Sequence, residues 1–270
     1  MCRWLAYTGE PVFLDELICK PDHSLVAQSL CANEAKTPTN GDGFGIGWYG
    51  ERAEPGLYRE VLPAWNDPNL ASLAHQLRAG LFFAHVRAST GTSSSRPNCH
   101  PFAKDQWLFM HNGQIGGYLE LRRRLEALIP DPLYDHREGT TDSEILFLLL
   151  FANGLEDDPL GALSRTLAQV IGVMDSAGVA APLRFTSALT DGRSIYALRY
   201  ASDDRPPSLY WRTGDPAGAW GGAGSAVSIV SEPLEQPDTW QALPANQVLV
   251  VGPDRSVSFE ALEFLQTAAE

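Results

Sequence analysis

The 270-residue chain has no Cys-x-x-Cys pair, no apolar run approaching the roughly 20 residues that span a bilayer, and too few basic residues to balance its acidic ones. Lys plus Arg number 20 against 33 Asp plus Glu, and the formal net charge of -13 repels phosphate backbones and anionic membrane surfaces. No nucleic acid and no membrane partner is therefore expected. The opening residues, Met1-Cys2-Arg3-Trp4, lack the apolar stretch of a signal peptide, so the expected location is cytoplasmic. Cys2, Cys19, Cys31 and Cys99 are irregularly spaced, which indicates neither a disulfide framework nor a zinc site. Cys19 and Cys31 read as small semi-buried residues. No charge block, low-complexity tract or Ser/Gly linker divides the chain, and 44% hydrophobic composition suffices for a sizeable core, so one domain over residues 1–270 is expected.

What is present reads as a mixed order of strands and helices. Residues 3–8 form a short strand and 43–49 a Gly-rich one, so position 2 begins a strand. Asp67-Pro68 starts a helix with Leu70, Leu73, Ala74 and Leu77 on one face and Gly80 as its stop, followed by an apolar strand over 81–86. A strand over 106–110 ends at the turn signal Asn112-Gly113, and a basic-faced helix follows over 118–129. Residues 143–153 are apolar on nearly all sides, the mark of a buried helix, and Asp158-Pro159 opens another. Strands over 183–189 and 194–200 flank the hairpin signal Asp191-Gly192, with further strands over 208–212, 226–230 and 247–251. Strands in runs and helices in pairs suit an α+β class of layered antiparallel sheets with helices outside.

Several residues could carry chemistry. Removal of Met1 would give Cys2 both a thiol and a free α-amine, with reference pKa values of about 8.5 and about 7.7 to 8.0, so nucleophile and base would share one residue. The alternative is a small buried residue at a strand start. Arg87 ends an apolar strand, where its planar guanidinium would grip a carboxylate or form a surface ion pair. Asn112 and Gly113 supply a side-chain amide and an exposed backbone N–H, the parts of an oxyanion hole, or else a tight turn. Asp142 either caps a helix or receives a substrate ammonium. Residues 40–49 (NGDGFGIGWY) have no following Lys-Ser/Thr and enter a strand, so nucleotide binding is discounted. His85, His100, His111 and Cys99 lack metal-ligand spacing, and Ser93 to Ser95 form no nucleophile elbow.

Taken in order, the Met-Cys-Arg start, NGDGFG at 40–45, AHVRAST at 84–90, NCHPF at 98–102, FMHNG at 109–113 and TTDSE at 140–144 resemble the class II glutamine amidotransferases. Within them the set is most similar to the amidotransferase subunit of the glutathione-degrading complex, with PAWND at 63–67 and His23-Ser24 also alike. The γ-glutamyl hydrolases of ergothioneine pathways come next. The resemblance implies a four-layer αββα N-terminal-nucleophile sandwich and hydrolysis of the γ-glutamyl amide of glutamine or a compound such as glutathione. It implies Cys2 as nucleophile, Asn112 and Gly113 as oxyanion donors, Arg87 as carboxylate clamp, Thr90 as a pocket hydroxyl and Asp142 as amine anchor, with no cofactor and no metal. Ala88 stands where sugar-making relatives carry tryptophan, which implies a roomier pocket. With no synthetase or isomerase domain attached, the chain is expected to be a free-standing hydrolase or a subunit for a peptidase or synthetase partner. The alternative of another class is a non-catalytic docking subunit.

Overall fold

The computed structural model describes residues 2–34, 39–89, 93–214, 226–235 and 237–262. From the N-terminus, strand β1 (Arg3–Phe13) leads to short helices α1 (Asp15–Ile18) and α2 (Leu25–Leu30), then the hairpin of β2 (Phe44–Trp48) and β3 (Gly56–Glu60). Helix α3 (Pro68–Gln76), β4 (Arg78–Val86), β5 (Phe102–Lys104) and β6 (Trp107–Gln114) follow. Helices α4 (Tyr118–Glu126), α5 (Asp131–Tyr134), α6 (Asp142–Ala152) and α7 (Pro159–Ser176) come next. The remainder is β7 (Arg184–Thr190), β8 (Ile195–Ala201), β9 (Tyr210–Thr213), β10 (Val227–Val230), β11 (Gln241–Ala242), β12 (Gln247–Val251) and β13 (Val257–Ala261).

Among the described residues the strands form two sheets, in the orders β11-β9-β10-β1-β4-β2-β3 and β13-β12-β8-β7-β6-β5. Strand alternation explains how both sheets are covered on both faces. In β1, Leu5 and Tyr7 join a cluster with Leu17 of α1, Leu25 of α2 and Leu70 of α3, while Trp4 and Ala6 point the other way. Trp4, Ala6 and Phe83 then meet Leu108, Met110 and Ala188 of the second sheet in a layer between the sheets. On the far side of that sheet, Phe109 and Phe185 pack under α4, α6 and α7. The order is helix, sheet, sheet, helix: the αββα sandwich that the resemblance implied.

Helix α6 is buried from Ser143 to Phe151, because α4, α5, α7 and β6 surround it and leave no polar face to wet. Three sequence expectations need correction. Strand β6 does not stop before Asn112-Gly113; it runs through both, with Asn112 opposite Thr186 and Gly113 opposite Phe185. Tertiary approach overrides the turn preference there: a Cβ on Gly113 would sit 1.9 Å from the Arg184 carbonyl oxygen, so the missing side chain admits the neighbouring strand. Gly80 is no helix stop but lies within β4, and the helix ends at Gln76. The basic-faced helix is also shorter than expected, ending at Glu126.

Asp67 does cap α3: its Oδ1 accepts the N–H groups of Asn69 at 2.7 Å and Leu70 at 3.0 Å, and its Oδ2 accepts the Tyr58 hydroxyl at 3.1 Å. Asp67→Ala removes both acceptor oxygens, and with them three hydrogen bonds, at a buried position and should lower stability by about 1–2 kcal/mol, read as a shifted urea midpoint at unchanged slope.

Candidate active site

The alternation that builds the layers also assigns direction to the functional side chains. On β1 the even positions face the layer between the sheets, and position 2 continues that series. On β4, Leu81 and Phe83 face the same layer and Arg87 continues theirs; on β6, Leu108 and Met110 do so and Asn112 follows. Register adds a second constraint. Arg3 pairs with Val86, so residue 2 comes opposite residue 87, and the Cys2 thiol donates to the Ala88 carbonyl oxygen at 3.7 Å.

Arg87 is buried. Its Nη1 donates to the Asp42 carbonyl at 3.2 Å, and its Nη2 to Ser89 Oγ and the Ser93 carbonyl, both at 3.3 Å. The strand end is tied to the NGDG segment through the Arg87 N–H to Gly43 O at 2.8 Å and the Asp42 N–H to Arg87 O at 3.0 Å. Gly43 has φ +114°, which an L side chain rarely adopts, so glycine is required for this turn into β2. The Asp42 carboxylate accepts the Ser89 N–H at 2.7 Å.

Asn112 is 2% exposed and, among the described residues, its Nδ2 has no hydrogen-bond partner. A buried unpaired donor costs on the order of 1–3 kcal/mol, and such a group is retained where an arriving acceptor uses it. Asp142 lies in the first turn of α6, half-buried; Thr141, not Asp142, is the cap, accepting the Glu144 N–H at 3.2 Å. Oδ2 of Asp142 accepts the Ile115 N–H at 3.0 Å and Oδ1 the Ser143 N–H at 2.9 Å, which holds α6 to the end of β6. Asn98 closes the circuit. Its Nδ2 donates to Ser93 O at 2.9 Å and Thr140 Oγ1 at 3.1 Å, and its Oδ1 accepts the Thr140 N–H at 2.8 Å.

Hydrogen bonds and register thus run from Cys2 to Ala88, from Arg87 through Ser93 and Asn98 to Thr140, and from Asp142 back to the strand carrying Asn112 and Gly113. Cys2, Arg87, Asn112, Gly113 and Asp142 are brought to one end of the sandwich. Thr90 and Met1 lie outside the described residues. Asn98 was visible only as part of NCHPF; Arg3 and Glu232 were unsuspected as partners, although a charged residue inside an apolar strand was a signal for the first.

Three histidines lie under this end. The His85 and His100 rings are 4.3 Å apart and His111 Nδ1 is 2.8 Å from Ser143 Oγ. Burial, with the Arg87 charge second, pushes His85 down to about 3. Burial first and His85 next hold His100 well below the usual range, and burial lowers His111 against the opposing pull of Asp142. In all three the fold disfavours the charged form. The unfolded chain takes up protons below about pH 6.5 that the folded chain refuses, so stability falls as pH drops from there toward about 3. Urea midpoints should decline between pH 7.5 and 5.5, where most carboxylates stay ionised; an unchanged midpoint would contradict neutral burial. Gly113→Ala, which drives a methyl into the Arg184 carbonyl, should separate β6 from β7 locally and cost about 2 kcal/mol or more in the same assay.

The four layers define a fold of the N-terminal-nucleophile class. The model of the family described as glutamine amidotransferases class-II matches residues 18–205. The probable glutamine amidotransferase DUG3 of Saccharomyces cerevisiae is 33% identical over 294 residues, covering 93% of this chain and 82% of that protein. The gamma-glutamyl-hercynylcysteine sulfoxide hydrolase of Mycolicibacterium smegmatis is 34% identical over 173 residues, 63% of this chain and 69% of that protein. Among solved structures, a glutamine aminotransferase class-II domain protein from Silicibacter pomeroyi superposes with TM-score 0.74 at 37% identity, covering 97% of this chain and 99% of that one. The glutamine phosphoribosylpyrophosphate amidotransferase of B. subtilis, at 14% identity and TM-score 0.65, shares the fold over 49% of its length. The chain belongs to the class II glutamine amidotransferases, a family of enzymes.

Proposed function

We propose that the protein is an amidohydrolase in which Cys2, freed by removal of Met1, attacks the γ-carbonyl of glutamine or of a γ-glutamyl compound such as glutathione. Arg87 takes the substrate α-carboxylate and Asp142, which has acceptor capacity beyond its two backbone bonds, takes the α-ammonium; Thr90 contributes a hydroxyl. The carbon–sulfur bond forms as the carbonyl becomes an oxyanion held by Asn112 Nδ2 and the Gly113 N–H. The α-amine, carrying the thiol proton, passes it to the leaving nitrogen as the carbon–nitrogen bond breaks, leaving a γ-glutamyl thioester. Water deprotonated by the same amine releases glutamate and restores the thiol.

The observation that carries this assignment is the placement of the buried Asn112 amide, whose Nδ2 has no hydrogen-bond partner among the described residues, on the face shared by Cys2 and Arg87. That convergence of a cysteine, a guanidinium and an amide donor on one face favours catalysis over a docking-only subunit, which needs no such set. Similarity to a gamma-glutamyl hydrolase supports a second choice of leaving group, a cysteine-containing amine of a thiol pathway instead of ammonia. In either case residues 1–270 act as one glutaminase unit in the cytoplasm, free-standing or beside a peptidase or synthetase subunit.

With glutamate release from glutamine, glutathione and a γ-glutamyl anilide as readout, Cys2→Ala should abolish turnover, and undiminished activity would sink the mechanism. Asn112→Ala should lower kcat by about 100 to 1,000-fold with a smaller change in KM. Glutamine and glutathione in competition identify the leaving group, the poorer substrate showing the lower kcat/KM.

A further inference from the structure

Position 3 breaks the pattern of its strand. Leu5 and Tyr7, on the same side of β1, sit in the apolar cluster under α1 to α3, yet Arg3 is a charged residue with no exposed surface. Burying a guanidinium is costly unless it is paired and its donors used, and a local rule broken without surface access commonly marks a functional constraint. One donor of Arg3 is aimed at the nucleophile's own backbone, others tie it to the segments alongside, and Nη2 has no partner among the described residues. Nε donates to the Cys2 carbonyl oxygen at 2.7 Å, and Nη1 to Ser208 Oγ and the Ser231 carbonyl, each at 3.3 Å. Ser231 in turn fixes the following residue: its Oγ accepts the Trp4 N–H at 2.7 Å and its N–H donates to Trp4 O at 3.0 Å.

The compensating charge is Glu232, 1% exposed, with Oε1 at 3.6 Å from Arg3 Nη1. Burial opposes its ionisation, but His23, the Glu34 N–H, the Arg3 charge and the Asn33 N–H together outweigh burial and hold its carboxyl below the usual range. His23 Nε2 is 2.8 Å from Oε2, the Asn33 N–H reaches the same oxygen at 3.2 Å, and the Glu34 N–H bonds to Oε1. The end of β10 and the segment around α2 are therefore fastened to the residue next to the nucleophile.

We propose that Arg3, held by Glu232, is a positioning residue for the Cys2 nucleophile: it fixes the carbonyl of residue 2 and places a guanidinium charge beside the thiol and amine of that residue. This rests on Cys2 being the nucleophile. The amine and carbonyl of Cys2 belong to one residue, so the amine lies on the order of 6 Å or less from Nε. Losing a proton from the thiol and ammonium pair removes one positive charge, whichever group gives it up, so a nearby cation eases the loss and a nearby anion resists it. Other charged or titratable groups facing this corner are His85 of β4, Arg87 just after it, Asp42 before β2, the Cys99 thiol, and His23, Glu34 and Tyr210 around Glu232 and Arg3.

The test is the pH dependence of kcat/KM for glutamate release by enzyme whose intact mass shows Met1 removed, in the wild type, R3K, R3M and E232Q. Arg3→Met should raise the pKa of the acidic limb by about one unit and Glu232→Gln should lower it by a similar amount, since the variants leave opposite charges uncompensated. Arg3→Lys keeps the charge but not the fork, so its limb should stay near the wild-type position while kcat falls about 10-fold with little change in KM. Should R3M fail to fold, the contrast between E232Q and R3K decides. Limbs that coincide in all folded variants, with activity following stability alone, would overturn the proposal. Cys2→Ala is run alongside; activity that survives it would overturn the nucleophile assignment instead.

Discussion

Everything at the candidate site depends on the two-residue period of three strands that meet at one end of the sandwich. Because β1, β4 and β6 each bury large apolar side chains between the sheets, their even or odd sets are committed to that layer by several kcal/mol of burial. Cys2, Arg87 and Asn112 inherit direction from these committed neighbours. A one-residue slip of any strand would drive Trp4, Phe83 or Met110 into the helix-facing layer, displace the side chains packed there and turn the corresponding functional residue away, so the packing of the core and the convergence of the site are one constraint.

The polar circuit above the core refines what alternation sets coarsely. Asn98 is the hinge of that refinement, since its amide satisfies both the loop gripped by Arg87 and the N-terminus of α6. Asp142 then joins α6 to β6 through the Ile115 N–H. Neutral buried histidines fill the space beneath, where charged ones would face the Arg87 guanidinium without solvent. The site is thereby built on strands and a helix start, and its geometry is held by backbone partners.

Much of this was legible in the sequence because the ordered motifs coincide with strand ends. The buried character of α6, the Asp67 cap and the hairpin at Asp191-Gly192 followed from local pattern, and the layered α+β arrangement followed from element order. Asn112-Gly113 misled as a turn because dipeptide preference cannot register the approach of the Arg184 carbonyl, which exists only when β7 pairs with β6. Short strands such as β3 and β5 carried too little alternation to detect. Glu232 sits more than two hundred residues from Arg3, and no local pattern announces a partnership made by the pairing of β1 with β10.

In the proposed reaction the sulfur of residue 2 carries the substrate's γ-glutamyl group. Acid-quenched enzyme, taken during turnover of glutamine or glutathione and digested for mass spectrometry, tests it directly. A single glutamyl adduct is expected on the N-terminal peptide, at the sulfur of a Cys2 with a free α-amine. A glutamyl group on another residue, or efficient turnover by chains that all retain Met1, would contradict it.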